Sequence, residues 1–342
     1  MENKFLEWMT GETETKWWND SGIQDEVEYA LANGADGITM NPCIIAATLE
    51  KEPEKWKDII KVDPALTGDA RNLANSKGIV TYYTEKFADK WAKGDKRCGG
   101  VCCQVSPARL GDAPYMIQLM NQIGEFAPNV YVKVPATKAG LTAFEEGIAK
   151  GYNMVSTVSF SIAQVVAAAE AQKRGEARAK ANGVKPGNGV AVLMVGRIDG
   201  YIRDVVSDSG YDVPESDVMM ASIAVVKKAY KLFKERGYNT ILMPAGARGL
   251  HHILELVGGD IVHSIAPSYA KMLEEENPPH VKTMDKPIDP KTLDNLLQIP
   301  EFRKAYDEDG MKPEDFISYP PVYKIATQFE LLGWDHTSNI KL

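Results

Sequence analysis

The feature that most constrains the fold of this chain is a series of eight short apolar segments, separated from one another by longer, mostly amphipathic stretches. The segments are rich in β-branched residues and fall at 16–20, 37–41, 101–105, 130–134, 154–158, 190–195, 240–245 and 261–265. Strands that alternate with helical stretches indicate βα units around a parallel sheet. Eight such units predict an α/β fold of the (β/α)8 TIM barrel type, which takes about 250 residues before insertions.

The remaining segments fill out this plan. Amphipathic stretches between the strands predict helices at 23–33, 138–151, 162–174, 216–236 and 247–258. The segments 51–96 and 182–189 have the character of insertions. We therefore predict one domain over 1–342, with a barrel core at about 16–282 and a mostly helical C-terminal extension at about 283–342.

The charge balance limits the possible partners. A net charge of -8 and a pI of about 5.3, without a local block of lysine and arginine, argue against a nucleic-acid or anionic-membrane binder. The N-terminal residues are charged, and no run of 18 apolar residues occurs. We expect a soluble, cytoplasmic protein in which a few placed cations bind any anionic ligand.

The four cysteines do not have the spacing of a metal site. Cys102 and Cys103 are adjacent, so on a strand their thiols point to opposite faces, and Cys43 and Cys98 are isolated. Reduced thiols are the expected state.

Polar side chains stand at or just beyond the carboxyl ends of all eight predicted strands. In strand order they are Asp20, Asn41, Gln104, Lys133, Thr157, Arg197, Arg248 and His263. Barrel enzymes take their catalytic groups from these ends, so we expect the side chains to converge on one mouth. Single members have ordinary explanations as well, such as Asp20 capping the next helix or a buried, hydrogen-bonded His263.

Lys133 is the member that is hardest to explain structurally. It stands in the segment VYVKVPAT, between Val132 and Val134. If Val132 faces the helices, Lys133 faces the barrel interior, where burial disfavours the ammonium form of an amine. A neutral amine can attack a ketone to form a Schiff base, a chemistry that needs no metal. The alternative is a structural lysine paired with a neighbouring carboxylate.

The chain carries several motifs of one family in the family's order. They are ITMNPCII, VCCQVSPARL, VYVKVPAT, STVSFSIAQVVAAAEA, LMVGRID and ILMPAGARGLHHILELVGGD. In these motifs, and over roughly 20–273, the chain resembles the transaldolase family of class I Schiff-base aldolases, which includes the fructose-6-phosphate aldolases.

This resemblance implies roles for individual residues. Lys133 matches the lysine that forms the imine with a ketose, and Asp20 matches the acid/base at the hydroxyl beside the breaking C–C bond. Thr157 matches the threonine that helps hold the water that shuttles protons. Asn41 matches the asparagine that orients the three-carbon unit, and we include Thr39 among the substrate-binding positions.

The resemblance also implies a phosphate site. Arg197 and Arg248 match the two arginines that bind the phosphate at the far end of the sugar, which suits the bidentate geometry of guanidinium groups. Gly246 stands where a serine often assists, so backbone N–H groups would take over that contact.

Four further positions depart from the transaldolase pattern. Gln104 replaces a glutamate, as in the aldolase branch, and it can orient a water but cannot carry a proton. Val155 and Val192 replace an asparagine and a serine, again as in the aldolase branch. Met194 matches neither the phenylalanine of transaldolases nor the tyrosine of the aldolases. This apolar lining predicts that hydroxyacetone is tolerated at least as well as dihydroxyacetone.

Three functions are therefore carried forward. The first is a transaldolase that transfers a dihydroxyacetone unit from a ketose phosphate to an aldose phosphate, as in the pentose phosphate pathway. The second is an aldolase that releases free dihydroxyacetone or hydroxyacetone, and the third is a non-catalytic sugar-phosphate binding protein. Chain length and the C-terminal extension favour the first, whereas Gln104, Val155 and Val192 favour the second.

No cofactor or metal is expected. His251 and His252 are adjacent on a predicted helix, do not share a face, and have no carboxylate at ligand spacing. Sugar phosphates are the expected ligands, and the resemblance implies a homo-oligomer.

Overall fold

A computed structural model describes residues 4–342 and contains all eight predicted strands in one parallel sheet. The strands are β1 (Lys16–Asn19), β2 (Gly37–Ile38), β3 (Val101–Gln104), β4 (Val130–Pro135), β5 (Asn153–Thr157), β6 (Gly189–Met194), β7 (Ile241–Ala245) and β8 (Val262–Ile265). Each strand pairs with its sequence neighbour, β1 also pairs with β8, and a bridge from Leu242 to Ile261 joins β7 to the segment that enters β8. The sheet is thus a nearly closed barrel, and the (β/α)8 prediction is confirmed.

Alternation along β4 separates the barrel interior from the layer beneath the helices. Tyr131 packs inside against Trp18, with ring centroids 5.2 Å apart. Val132 and Val134 belong to a different buried cluster, which they form with helix side chains. Because neighbouring strand residues point to opposite faces, Lys133 lies on the interior side with Tyr131.

Helices surround the barrel and continue beyond it. The helices before β5 are α1 (Phe5–Glu12), α2 (Gln24–Ala32), α3 (Pro42–Lys51), α4 (Pro53–Ile59), α5 (Gly68–Lys86), α6 (Ala88–Trp91), α7 (Ala113–Gly124) and α8 (Lys138–Ala149). The later ones are α9 (Ile162–Ala181), α10 (Val195–Ser209), α11 (Glu215–Val218), α12 (Ala221–Glu235), α13 (His251–Leu254), α14 (Pro267–Glu276), α15 (Pro290–Leu297), α16 (Pro300–Tyr306), α17 (Pro320–Phe329) and α18 (Asp335–Asn339). Within residues 4–342, no helix combines the length and the apolar content needed to cross a membrane.

Several predicted boundaries were wrong. The second strand stops at Ile38 because Asn41 and Pro42 begin α3, where proline is suited to the first helical position. The helix predicted over 247–258 is reduced to the single turn α13, which lies between Gly249 and the left-handed Gly258. The helix predicted over 216–236 is divided into α11 and α12.

The C-terminal extension is mostly helical, as predicted, and it returns to the mouth of the barrel. Between α17 and α18 it forms a π-helical turn, Glu330–Trp334. There Gly333 lies so close to Pro42 that an added Cβ would come within 2.5 Å of its backbone. Trp334 Nε1 donates to Asp69 at 2.7 Å, and Asn72 Nδ2 donates to the Trp334 carbonyl at 2.7 Å. The extension is therefore held against both α3 and α5.

Candidate active site

Lys133 lies inside the barrel between two of the predicted site residues. It is in register with Gln104 on β3 and with Val155 on β5, and it is only 7% exposed. Within residues 4–342 its ammonium group forms no salt bridge or hydrogen bond. Lys133 is therefore not paired with a neighbouring carboxylate, as the structural alternative required.

Asp20 follows β1 and is held by a hydroxyl chain. Thr39 Oγ1 donates to Asp20 Oδ1 at 2.7 Å and lies 2.6 Å from Ser264 Oγ. Because Thr39 has one hydroxyl hydrogen and gives it to Asp20, Ser264 must be the donor toward Thr39. Asp20 does not cap the next helix, whose N-cap is Ile23. Ser264 was not among the predicted site residues, although strand alternation beside Trp18 places it on the interior side.

The buried thiol of Cys102 reports that Lys133 and Asp20 share one neighbourhood. Burial raises the pKa of Cys102 to about 11; the positive charge of Lys133 opposes this rise, and the negative charge of Asp20 adds to it. Cys103 lies in the other cluster, under the helices, as the strand pattern predicted. The candidate nucleophile and the candidate acid/base therefore both lie within electrostatic reach of Cys102 in the barrel interior.

Gln104 and Thr157 lie on the two strands that flank β4. Gln104 is 5% exposed, and its Oε1 has no hydrogen-bond partner within residues 4–342, so it is free to accept from a substrate hydroxyl or a water. Thr157 ends β5 in register with Pro135, which points to the same side as Lys133. Immediately after it, Val158 adopts φ +54°, a left-handed conformation that is unusual for a β-branched residue.

Asn41 combines a helix cap with a possible ligand contact. Its Oδ1 accepts from the Ile44 N–H at 3.1 Å and so caps α3. The Nδ2 hydrogens remain to reach a substrate.

The predicted apolar lining is buried around the same interior. Val155 is in register with Val190 on β6, so alternation places Val192 and Met194 on the interior side too. All of these side chains are at most 8% exposed.

Arg197 and Arg248 meet at the mouth, beyond β6 and β7. Arg197 is in the first turn of α10 and donates from Nη2 to Gln328 Oε1 on α17 at 3.2 Å. Burial, and then the nearby charge of Arg248, hold the pKa of Arg197 below its usual value. Neither guanidinium forms a salt bridge with a carboxylate in the described part of the chain. Two cations without a counter-charge are well placed to bind an anion.

Two glycines, Gly196 and Gly246, allow the chain segments that carry Arg197 and Arg248 to pack closely. A Cβ at Gly196 would lie 2.5 Å from both the Gly246 carbonyl oxygen and Arg248 Cγ. Gly246 has φ +68°, a left-handed conformation in which a residue with a side chain would be strained. Both arginines line a cavity of about 700 Å³ that extends along α10 and α17.

His251 and His252 have no carboxylate at ligand spacing in the sequence, but the fold brings one to them. Asp199, on α10, lies 2.6 Å from His252 Nε2 and 3.8 Å from His251 Nε2, and the two rings are 4.0 Å apart. Burial alone would raise the pKa of Asp199, but the adjacent imidazoles of His251 and His252 outweigh it and hold this pKa below its usual value. Local spacing could not reveal the group because Asp199 comes from another βα unit.

The ligand atoms of these three residues lie within 4.8 Å of one another, which is close enough to hold a metal ion. The Arg248 N–H, however, donates to His252 Nδ1 at 3.1 Å. Nδ1 is then the unprotonated nitrogen, so Nε2 carries the hydrogen toward Asp199 and cannot ligate a metal. The hydrogen-bond pattern favours a structural link over a metal site.

His263 does not line the mouth. It shares the helix-facing side of the barrel with Trp17 and Ile265, whereas Trp18 is inside. Burial lowers the pKa of His263 to about 4, although a hydrogen bond to the Leu256 backbone opposes the shift.

Comparison with known proteins gives a consistent result. The profile of the Transaldolase/Fructose-6-phosphate aldolase family matches residues 17–314. The chain is 32% identical to Transaldolase A of Pasteurella multocida over 210 residues, which cover 60% of this chain and 59% of that protein. It is 28% identical to Transaldolase of Chlamydia pneumoniae over 307 residues, which cover 86% of this chain and 85% of that protein. It is 31% identical to Transaldolase 1 of Streptomyces avermitilis over 229 residues, which cover 62% of this chain and 58% of that protein.

Proposed function

The chain belongs to the transaldolase/fructose-6-phosphate aldolase family, and from this membership we propose that it transfers a dihydroxyacetone unit between sugar phosphates through a Schiff base on Lys133. The observation that carries the proposal is the burial of an unpaired Lys133 inside the barrel, in the same neighbourhood as Asp20. A buried amine and a carboxylate in the same barrel interior are the groups that imine chemistry on a ketose needs.

The proposed reaction begins with attack of Lys133 Nζ on the C2 carbonyl of a ketose phosphate. Loss of water from the carbinolamine gives the iminium, and Asp20 takes the proton from the C4 hydroxyl as the C3–C4 bond breaks. The bonding electrons move into the iminium to form an enamine, and the aldose phosphate leaves. The enamine then attacks the acceptor aldehyde, Asp20 returns the proton, and water releases the product. Thr157 and Gln104 would hold the water that leaves in the dehydration step and the water that enters in the hydrolysis step.

The arginine pair would hold the far end of the substrate. A phosphate between Arg197 and Arg248 replaces the mutual repulsion of the two guanidinium groups by two charge-assisted contacts. The first turn of α10 has no side-chain cap, so its N–H groups add to the attraction for an anion.

A second candidate is an aldolase that releases free dihydroxyacetone. The buried valines at 155 and 192 favour it, because a lining without hydrogen-bonding groups holds a three-carbon enamine loosely. Gln104 favours it as well.

Mass spectrometry after borohydride reduction separates the candidates. Wild-type protein and Lys133→Met would be reduced with fructose 6-phosphate, with and without erythrose 4-phosphate, while free dihydroxyacetone is followed. We expect a three-carbon adduct in the wild type only, and discharge of that adduct only when the acceptor is added. Release of dihydroxyacetone without acceptor would identify the aldolase. Absence of any adduct would refute the imine mechanism for this donor.

The proposal also includes a cytoplasmic location and a homo-oligomeric state. Light scattering coupled to size-exclusion chromatography tests the second directly, and a monomer across the micromolar range would contradict it.

A further inference from the structure

We propose that His252 and Asp199 are positioning residues that set the distance between the two arginines of the phosphate site. The inference rests on the proposed phosphate role of Arg197 and Arg248. The two residues would act through the arginines, not on the reacting atoms.

The first observation is a continuous, buried hydrogen-bond chain. The Arg248 N–H donates to His252 Nδ1 at 3.1 Å, and His252 Nε2 donates to Asp199 Oδ2 at 2.6 Å. The other oxygen of Asp199 accepts from the Ser222 N–H at 2.8 Å, at the start of α12. His252 is 2% exposed and Asp199 is 3% exposed, so neither side chain can readily replace these hydrogen bonds by hydrogen bonds to water.

The second observation is that this chain fixes the histidine tautomer. An N–H pointing at Nδ1 requires a lone pair there, and the Asp199 carboxylate requires a hydrogen on Nε2. Both demands are met by the same neutral tautomer. A doubly protonated imidazole could not accept from the Arg248 N–H. The tautomer with its hydrogen on Nδ1 could make neither contact.

The third observation is where the chain is attached. Asp199 stands two residues after Arg197 on α10, and His252 stands four residues after Arg248. The carboxylate therefore ties the helix that carries one arginine to the loop that carries the other. This loop contains the left-handed Gly246 and needs an external anchor, because within residues 4–342 the Arg248 side chain hydrogen-bonds only to the carbonyl of its own neighbour, Ala247. The position of the Arg248 backbone therefore determines where its guanidinium group lies.

Two conservative variants distinguish this role from simple packing. In His252→Asn the side-chain oxygen can occupy the position of Nδ1 and accept from Arg248, but the contact to Asp199 is lost. In His252→Gln the amide nitrogen can reach Asp199, but the acceptor for Arg248 is lost. If the hydrogen bond from the Arg248 N–H positions the guanidinium group, His252→Asn should bind phosphate more tightly than His252→Gln.

The test is titration calorimetry with inorganic phosphate, together with steady-state kinetics on fructose 6-phosphate and on unphosphorylated fructose. For His252→Gln we expect phosphate binding and the KM for fructose 6-phosphate to weaken at least tenfold. The kcat, and kcat/KM for fructose, should stay within threefold of wild type. His252→Asn should bind phosphate about threefold to tenfold more weakly than wild type, because Arg248 retains its acceptor while the tie to Asp199 is lost. His336→Asn, at the exposed contact with Glu50, is the matched control, and circular dichroism verifies folding of each variant.

The proposal is overturned if both His252 variants lose phosphate binding equally, if fructose turnover falls by the same factor as fructose 6-phosphate turnover, or if wild-type protein does not bind phosphate. Loss of activity on chelation, restored by Zn²⁺, would also overturn it, because a metal would then occupy Nε2. Calorimetry needs no turnover, so a missing lysine adduct would refute the proposed reaction while leaving the phosphate result valid.

Discussion

Gln104 shows how one side chain can direct proton traffic inside the barrel. It is in register with Lys133, and its Oε1 is buried without a partner in the described structure, so a water or hydroxyl placed there would find an acceptor but no base. In the proposed reaction Asp20, which accepts a hydrogen bond from Thr39, therefore carries the proton.

Replacing Gln104 by leucine removes both hydrogen-bonding groups while retaining much of the volume. We expect kcat for the transfer reaction to fall at least tenfold, because loss of one positioned hydrogen bond of about 1.4 kcal/mol or more in the transition state has this effect. Phosphate affinity should be unchanged. Cys103→Ala, on the helix-facing side of the same strand, is the control, and an equal loss of kcat there would contradict the assignment.

The lining at Val192 decides how the terminal hydroxyl of the donor is treated. We expect wild-type protein to use hydroxyacetone at least as well as dihydroxyacetone in the synthetic direction. Val192→Ser should shift the ratio of kcat/KM values toward dihydroxyacetone by up to about tenfold, since the hydroxyl gains a partner. Steady-state comparison of the two donors measures this, and a preference of wild-type protein for dihydroxyacetone above a hundredfold would refute the argument.

Directions of strand side chains could be predicted at the residue scale, whereas contacts between distant residues could not. Alternation correctly separated Cys102 from Cys103, and it directed Lys133 inward. It gave no access to the link between Thr39 and Ser264, which are 225 positions apart, or between Asp199 and His252, which are 53 apart. These contacts arise only when the barrel closes.

At the scale of elements, the strands were more predictable than the helices that follow them. Parallel strands are buried on both faces, so their apolar runs stand out, and all eight were found. The single-turn α13 lies between glycines, and its amphipathic pattern was mistaken for a full helix. The role of α17 was also missed, because nothing local connects Gln328 to Arg197.

Helix α17 lies beyond the residues that match the family profile, and it contributes Gln328 to the arginine pair. Gln328→Glu would place a carboxylate on Arg197 and supply the missing counter-charge. We expect inorganic phosphate to bind about tenfold more weakly, measured by calorimetry, and the deficit to shrink at high salt. Tyr323→Ser, at an exposed position of the same helix, should bind phosphate normally. Equal affinity in Gln328→Glu and wild type would exclude a part for α17 in the anion site.

At the scale of the whole molecule, His263 gives stability a dependence on pH. Its pKa in the folded protein is about 4, below the ordinary value of 6.5, so the unfolded chain binds the proton more readily between these values. The free energy of unfolding is therefore highest above pH 6.5 and falls as the pH approaches 4, by about 3 kcal/mol for a shift of this size.

Chemical denaturation at pH 7, 5.5 and 4.5 tests this expectation. His263→Gln should lower stability at pH 7 but flatten the decline toward pH 4.5, since the titrating group is gone. His336→Asn, which removes an exposed histidine, should retain the wild-type slope. A slope in His263→Gln as steep as in the wild type would assign the acid sensitivity to other groups.

The contacts that fasten the C-terminal extension also bear on the order of folding events. Asn72 meets Trp334 across 262 positions of sequence, and Cys43 meets Gln328 across 285. Closing a loop over such sequence separations costs conformational entropy, and the contacts offset this cost only after they form. We therefore expect them to form later than local helices and neighbouring βα units. Refolding should thus pass through a stage in which much of the barrel exists while Arg197 still lacks its neighbour from α17, and competence to bind phosphate would return after secondary structure does.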